Sequence, residues 1–428
     1  MKKMILTGAS ILALSIAAPA YAQSTSDVDQ TGNANAATVG QTGFNDSDID
    51  QDGDNNAATV TQETIGAFAA NGNTATVDQD GTFNTASVDQ DNDTPGTTAN
   101  SVTINQTGDG ASLLEANVAD ASQSGSGNTT TITQGIAALN TGNSNSATTG
   151  QTGENNTISV LQRNDAATAN ISQSGESNTS NSFQGRPSGG PTIDQTLNVT
   201  QTGTENFSTA EQRGSSNFAA VVQDGERNSS IISQPGFDND IGDPLGLASV
   251  GINQIGDDNA STVTQSANFG LVSVDQIGNN LTSFVTQTGR ANNAVADVDQ
   301  SGSFNTSTIL QDGPTPANGG PANGMTANVT QSGSDNESDI SQTNTLGAPP
   351  TSGNLAEVNQ SGSGNFSEID QDGHENEADV TQSGSLADSF IVQTGNNNSA
   401  TVNQSGHGDL SNVDQIGNGN IASVTQGM

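Results

Sequence analysis

Residues 359–384 read NQSGSGNFSEIDQDGHENEADVTQSG, with glutamine returning at Gln360, Gln371 and Gln382 and glycine two places after each. Between glutamines the chain alternates. Asn365, Ser367, Ile369 and Gln371 share one parity, and so do Asn376, Ala378, Val380 and Gln382, while Glu368, Asp370, Asp379 and Thr381 take the other. A period of two marks a β-strand with two unlike faces, and the β-branched Val and Ile favour it. The segment Gln360-Ser-Gly-Ser-Gly-Asn365 gives the backbone freedom a tight turn needs. Each unit therefore predicts one strand of about six residues and one turn.

The pattern extends from Gln30 to Gln426. Gln360, Gln371, Gln382, Gln393, Gln404, Gln415 and Gln426 are spaced by eleven, as are Gln201, Gln212, Gln223 and Gln234. The motif Q-x-G-x-x-N recurs at Gln30, Gln51, Gln79, Gln123, Gln151, Gln173, Gln201, Gln223, Gln254, Gln300, Gln331 and Gln360. Looser partners at Gln62, Gln90, Gln134, Gln184, Gln234, Gln311 and Gln342 precede most of the irregular stretches. This grouping predicts an all-β fold: a β-solenoid of about 16 two-stranded coils built from 22-residue repeats, spanning 23–428. Insertions at 63–72, 91–99, 185–194, 235–247, 312–326 and 343–353 are expected to bulge from one edge of the stack. The least regular packing is expected near 106–122, where Gln106 lacks a glutamine eleven residues on. Leu281 and Ala387 replace an expected Asn.

Inward-facing amides need partners, because a buried, unpaired primary amide costs roughly 1 to 3 kcal/mol. Stacking resolves this, since identical amides one coil apart can donate and accept along the stack. The expected ladder residues are Gln30, Gln51, Gln79, Gln123, Gln201, Gln223, Gln360, Gln371, Gln382, Gln393, Gln404, Gln415 and Gln426, with Asn365, Asn376, Asn398 and Asn420. A one-residue slip would turn Asp and Thr inward, so the ladders also fix register. Neither end shows a capping repeat, and end-to-end addition of a second copy is the expected consequence.

The first residues, MKKMILTGASILALSIAAPAYAQ, have the layout of a secretory signal peptide (1–22), with cleavage expected after Ala22. Beyond it only five arginines stand against 46 acids, a net charge of −41. Such a surface repels nucleic acid and anionic lipid, which argues against both as partners and against membrane insertion. There is no cysteine, so an exported chain must hold its shape without disulfides.

These repeats resemble those of the curlin family, the subunits of curli fibres on bacterial surfaces. That family's repeat is written Ser-x5-Gln-x-Gly-x-Gly-Asn-x-Ala-x3-Gln. Gln360, Gly362, Gly364, Asn365 and Gln371 fall on it in order, with Ser367 at the Ala position; Gln79, Gly81, Asn84, Ala86 and Gln90 do likewise, with Phe83 at the second Gly. The leading Ser is mostly Asn here, as at Asn354, Asn376 and Asn398. The resemblance implies a functional amyloid: a secreted subunit that passes a dedicated outer-membrane channel and polymerises from a nucleator subunit into extracellular fimbrium-like fibres for cell adhesion and biofilm matrix.

Other chemistries fit the sequence less well. A parallel β-helix enzyme would need acids clustered out of pattern in a cleft, yet Asp and Glu mostly occupy repeated outward positions, so no enzymatic activity and no cofactor are expected. His374 and His407 read as solvated turn residues. Asp50-Gln-Asp52-Gly-Asp54-Asn55 lacks the spacing of an EF-hand, leaving only weak Ca²⁺ bridging between acidic faces as a cation reading. Outward Thr interchanges with Asp and Ser, against an ice-binding face. The alternative structural reading is a secreted, monomeric β-solenoid adhesin or matrix protein.

Overall fold

Alternation of small or branched residues with polar ones builds strands that bury one face and wet the other, and in the Q-x-G-x-x-N units glycine allows the turn that follows. The computed structural model describes residues 11–15, 24–64, 72–92, 98–109, 116–135, 144–163, 166–185, 194–214, 216–235, 240–241, 251–266, 270–289, 294–313, 324–344 and 353–427. Among these, every regular element is a β-strand, the strands pair in parallel, and the peptide bonds are trans.

The chain divides into two units, Met1–Asn206 and Phe207–Met428. In the first, strands alternate between two sheets. Thr25–Thr31 begins one sheet and pairs with Asp46–Asp54; Ala36–Thr42 begins the other and pairs with Ala57–Thr64. Two strands therefore complete one coil, and the unit holds seven. The second unit holds nine, from Phe207–Gln212 with Phe218–Glu226 to Leu410–Asn418 with Ile421–Gln426. Each unit is a β-solenoid of two-stranded coils, as the repeat predicts, and among the described residues the two units together hold sixteen coils.

Register is kept residue for residue. Gln311 lies opposite Gln342 and Ile309 opposite Ile340, and Gln360 lies opposite Gln382. The core is a thin seam: Ile49, Val77, Ile104 and Ile132 follow one another in the first sheet of unit one, and Ala356, Ala378 and Ala400 in the second sheet of unit two, all buried. Glycine at the turn is obligatory. Gly362 has φ of +107°, and a Cβ there would lie 2.1 Å from the Gly384 carbonyl oxygen of the next coil.

The insertions do not share one edge. In unit one, 65–71 and 93–97 follow second-sheet strands, Ala57–Thr64 and Thr85–Asn92, whereas 110–115, 136–143 and 186–193 follow first-sheet strands. The cause is the interval from Gln106 to Gln123. Its long connection after Ser101–Asp109 shifts the phase of the pairing, so Q-x-G-x-x-N moves from first-sheet strands at Gln30, Gln51 and Gln79 to second-sheet strands from Gln123 onward. The irregularity expected over 106–122 is narrower than the sequence suggests. Ser101–Asp109 pairs along its whole length with Thr74–Thr82, and Val118–Ser126 with Ser146–Glu154; residues 110–115 lie outside the described residues. Most of 63–72, 91–99, 185–194, 235–247, 312–326 and 343–353 also lies outside them.

One strand precedes the repeats. Ile11–Ser15, inside the expected leader, runs parallel to Ala36–Thr42, with Leu12 opposite Ala37 and Leu14 opposite Val39. It occupies the second-sheet edge of the first coil.

Candidate functional site

Inward glutamines form two files in each unit. In the first sheet of unit one, Gln30, Gln51, Gln79, Gln106, Gln134, Gln162 and Gln184 are linked in order, each Nε2 donating to the next Oε1 at 2.6 to 2.9 Å. The second sheet repeats this from Gln41 through Gln62, Gln90, Gln123, Gln151 and Gln173 to Gln201. In unit two one file runs from Gln212 through Gln371 and Gln393 to Gln415, and the other from Gln223 through Gln360, Gln382 and Gln404 to Gln426. The thirteen glutamines singled out by spacing therefore divide between two sheets: Gln30, Gln51, Gln79, Gln371, Gln393 and Gln415 in the first, the rest in the second.

Each file has a direction, and a second bond fixes it. The other Nε2 hydrogen reaches a backbone carbonyl at the start of a strand in the opposite sheet, as from Gln51 to Ala36 (3.2 Å) and from Gln393 to Glu377 (2.8 Å). Flipping the amide would set oxygen against oxygen. Every glutamine consequently donates toward the C-terminal coil and accepts from the N-terminal one.

The asparagines also stack on one another, Asn398 Nδ2 donating to Asn376 Oδ1 and Asn365 Nδ2 to Asn336 Oδ1, each at 3.1 Å, and they bind the backbone as well. At the corner before each strand, Asn Oδ1 accepts the backbone N–H of the residue one coil on, while Nδ2 donates to a turn glycine carbonyl. Asn376 accepts from the Asn398 N–H at 3.1 Å, Asn398 accepts from the Asn420 N–H at 3.0 Å, and Asn398 donates to the Gly417 carbonyl at 2.9 Å. Asn365 does the same before a first-sheet strand, accepting from the Ala387 N–H at 3.1 Å. These residues clamp the backbone of successive turns. Leu281 and Ala387 fill the corner with apolar atoms, fully buried, and so do Ala294 and Met325, which spacing alone did not mark.

Two features were missed. Gln41 heads the second-sheet file, and its spacing of eleven from Gln30 was the available signal. In unit two, Ser208, Ser230, Ser261, Ser283, Ser307, Ser338, Ser367, Ser389 and Ser411 form one column, all buried, with no hydrogen-bond partner for any hydroxyl.

The outermost coils leave the files open. Among the described residues no donor reaches Oε1 of Gln30 or Gln41; Gln415 and Gln426 each give one Nε2 hydrogen to a backbone carbonyl, of Ser399 and Leu410, and have no amide beyond them. Ile421 is 85 % exposed, Ile416 76 % and Leu410 60 %. One edge therefore presents acceptors and the other donors, although at the acceptor edge the strand Ala36–Thr42 is paired by Ile11–Ser15.

Outward acids stand in columns. Asp29, Asp50 and Asp78 lie opposite one another on successive strands, beside Asp27 with Asp48 and beside Asp52 with Asp80. Partial burial, then the neighbouring carboxylates, push Asp50 and Asp78 above the usual aspartate range. His374 bonds Asn396 Oδ1 and His407 bonds the Ser385 hydroxyl at 2.8 Å, both at turns.

No curated protein gives a match to the chain. The family model for the curlin associated repeat matches at residues 193–225, 214–242, 352–384 and 395–427. These stretches carry the file-forming glutamines Gln201, Gln212, Gln223, Gln234, Gln360, Gln371, Gln382, Gln404, Gln415 and Gln426, so the chain carries the curlin associated repeat at these places.

Proposed function

We propose that this chain is a secreted, non-enzymatic subunit of curli-type fibres, joining end to end with further copies in an extracellular amyloid of the bacterial surface that serves adhesion and biofilm matrix. The observation that carries the reading is the polarity of the glutamine files: acceptors at Gln30 and Gln41, donors at Gln415 and Gln426. A second copy continues both files without a fault, Gln415 meeting Gln30 and Gln426 meeting Gln41. Strand edges backed by exposed Ile421, Ile416 and Leu410 add apolar area to the joint. On this reading a nucleator subunit and an outer-membrane channel are the accessory partners, nucleic acid and membrane are not, and Ca²⁺ acts at most as a weak bridge between acidic faces.

The test is to dilute the chain from Gln23 onward out of denaturant and follow thioflavin fluorescence and electron micrographs, with and without sonicated fibres. Unbranched fibres that seed fresh monomer support the reading. A strand-rich monomer at every concentration overturns it and leaves the monomeric adhesin.

A further inference from the structure

Resting on that end-to-end reading, we propose that the joint between copies is gated by charge: the register that continues the glutamine files sets Asp414 of one copy on Asp29 of the next, and joining takes up protons. The register is forced. With Gln415 opposite Gln30, Leu410–Asn418 lies on Thr25–Thr31 so that Val413 meets Val28, Asn412 meets Asp27 and Asp414 meets Asp29. Slipping by one residue would bury the carboxylates, and slipping by two would break the files.

Both carboxylates are exposed in the free chain and face outward. The surroundings of Asp29 are all acidic: Asp27 on its own strand, Asp48, Asp50 and Asp52 on the next, Asp78 and Asp80 beyond. Asp414 has uncharged Val392 beside it, with Asp388 near the strand's start and Asp370 one strand further. No lysine, arginine or histidine belongs to the strands Thr25–Thr31, Asp46–Asp54, Thr74–Thr82, Asp388–Asn396 or Leu410–Asn418. Joining therefore turns a column of three carboxylates into a column of four with no counter-charge. The same crowding already raises Asp50 and Asp78 within the chain, where burial comes first and the neighbouring aspartates second.

The sign follows from linkage. A carboxylate that gains carboxylate neighbours on joining holds its proton more tightly in the joined state, so joining strengthens as pH falls toward the carboxylate range and weakens as it rises. A strand-edge joint that is complementary in hydrogen bonds is thereby opposed at neutral pH by one column of charge.

The experiment measures seeded elongation of the chain from Gln23 onward between about pH 7.5 and about pH 4.5, a span that covers carboxylate titration. It compares the wild type with Asp29→Asn/Asp414→Asn, and with Glu154→Gln/Glu176→Gln, exposed at the ends of the strands Ser146–Glu154 and Thr168–Glu176, as a control that removes the same net charge away from the joint. The joint variant is expected to elongate about fivefold faster at neutral pH in low salt, with a shallower rise on acidification, while the control keeps the wild-type slope. Identical profiles for the two double variants overturn the gate and assign any pH effect to total charge. If no protein seeds at any pH, the fibre reading itself fails; fibres with an unchanged slope remove only the gate.

Discussion

The side-chain Nε2 of Gln311 donates to Oε1 of Gln342 at 2.9 Å and, with its second hydrogen, to the Val295 carbonyl at 3.0 Å. One amide thus ties two coils together and two sheets together, and it also accepts from Gln287 at 2.9 Å. Gln311→Ala leaves the Gln287 donor and the Gln342 acceptor unpaired in a dry interior and removes the tie to the Val295 carbonyl. A cost on the order of 3 kcal/mol is expected, read as roughly hundredfold faster amide exchange in strands 295–303 and 337–343. The outward Thr308→Ala should stay within about 0.5 kcal/mol. Equal effects would mean that the file contributes nothing beyond packing.

The serine column of unit two makes an opposite prediction. Ser307 lies between Ser283 and Ser338, and its hydroxyl is buried without a partner. Removing an unsatisfied hydroxyl while keeping the Cβ relieves a desolvation cost of about 1 kcal/mol, so Ser307→Ala should stabilise the unit and slow local exchange about fivefold. The comparison is Thr130→Ser in unit one, where Thr130 at the equivalent inward position donates to Gln151 Oε1 at 2.8 Å. Faster exchange in Ser307→Ala would show that the hydroxyl is paired in solution.

Two glycines separate a required turn from a replaceable position. Gly333 has φ of +103°, and a Cβ there would stand 2.0 Å from the Gly362 carbonyl oxygen; Gly150, in the strand Ser146–Glu154, has nothing within 4 Å. Gly333→Ala should cost roughly 2 kcal/mol or more, whereas Gly150→Ala should be neutral or stabilise by up to about 1 kcal/mol through the unfolded chain. The readout is the urea concentration at which strand circular dichroism is half lost. Two equal shifts would remove the claim that turn spacing, and not strand content, fixes glycine.

Much of this was legible because alternation and spacing are local. Asn365, Ser367, Ile369 and Gln371 could be assigned inward from parity alone, and all four are buried. What could not be read was pairing across the stack. Nothing in the eleven-residue spacing says that Gln30 and Gln426 stand in different sheets, because that depends on counting strands through irregular 106–122. Nor does composition distinguish a file glutamine such as Gln382 from a corner asparagine such as Asn398, which bonds Asn376 and also accepts the backbone N–H of Asn420 in the next coil. Both look like inward polar residues until the corner geometry is known.

Acid should strengthen the outward carboxylate columns. Asp50 and Asp78 are raised above the usual aspartate range by partial burial and then by neighbouring aspartates, Asp29 first for Asp50 and Asp50 first for Asp78, as is Asp299, mainly by burial and then by Asp275. A carboxyl raised in the folded state favours folding while protonated, and that contribution is lost as pH rises through its folded value. Amide protection in strands 46–54 and 74–82 should therefore increase as pH is lowered from about 7 toward about 5, after correction for intrinsic exchange. In Asp50→Asn/Asp78→Asn the increase should largely disappear. Protection that falls on acidification in the wild type would mean these carboxylates are held by favourable partners and that the columns do not strain the face.

The strand Ile11–Ser15 lies within the expected signal peptide. Ile11–Ser15 pairs with Ala36–Thr42 and so covers the second-sheet edge to which Gln426 of another copy would bring its strand. The first-sheet edge at Thr25–Thr31 is not paired to it. A precursor that keeps residues 1–22, with cleavage blocked by Ala20→Pro and Ala22→Asp, should therefore add to fibre ends more slowly than the chain from Gln23, and only where growth uses its N-terminal coil. Its own C-terminal coil, Leu410–Gln426, stays able to dock onto a seed. Elongation from seeds whose exposed end accepts that coil should be unchanged, while further growth past each added precursor should stall, giving a burst and a plateau. Steady elongation at the rate of the cleaved chain would show that the leader leaves the edge on its own and has no role in timing assembly.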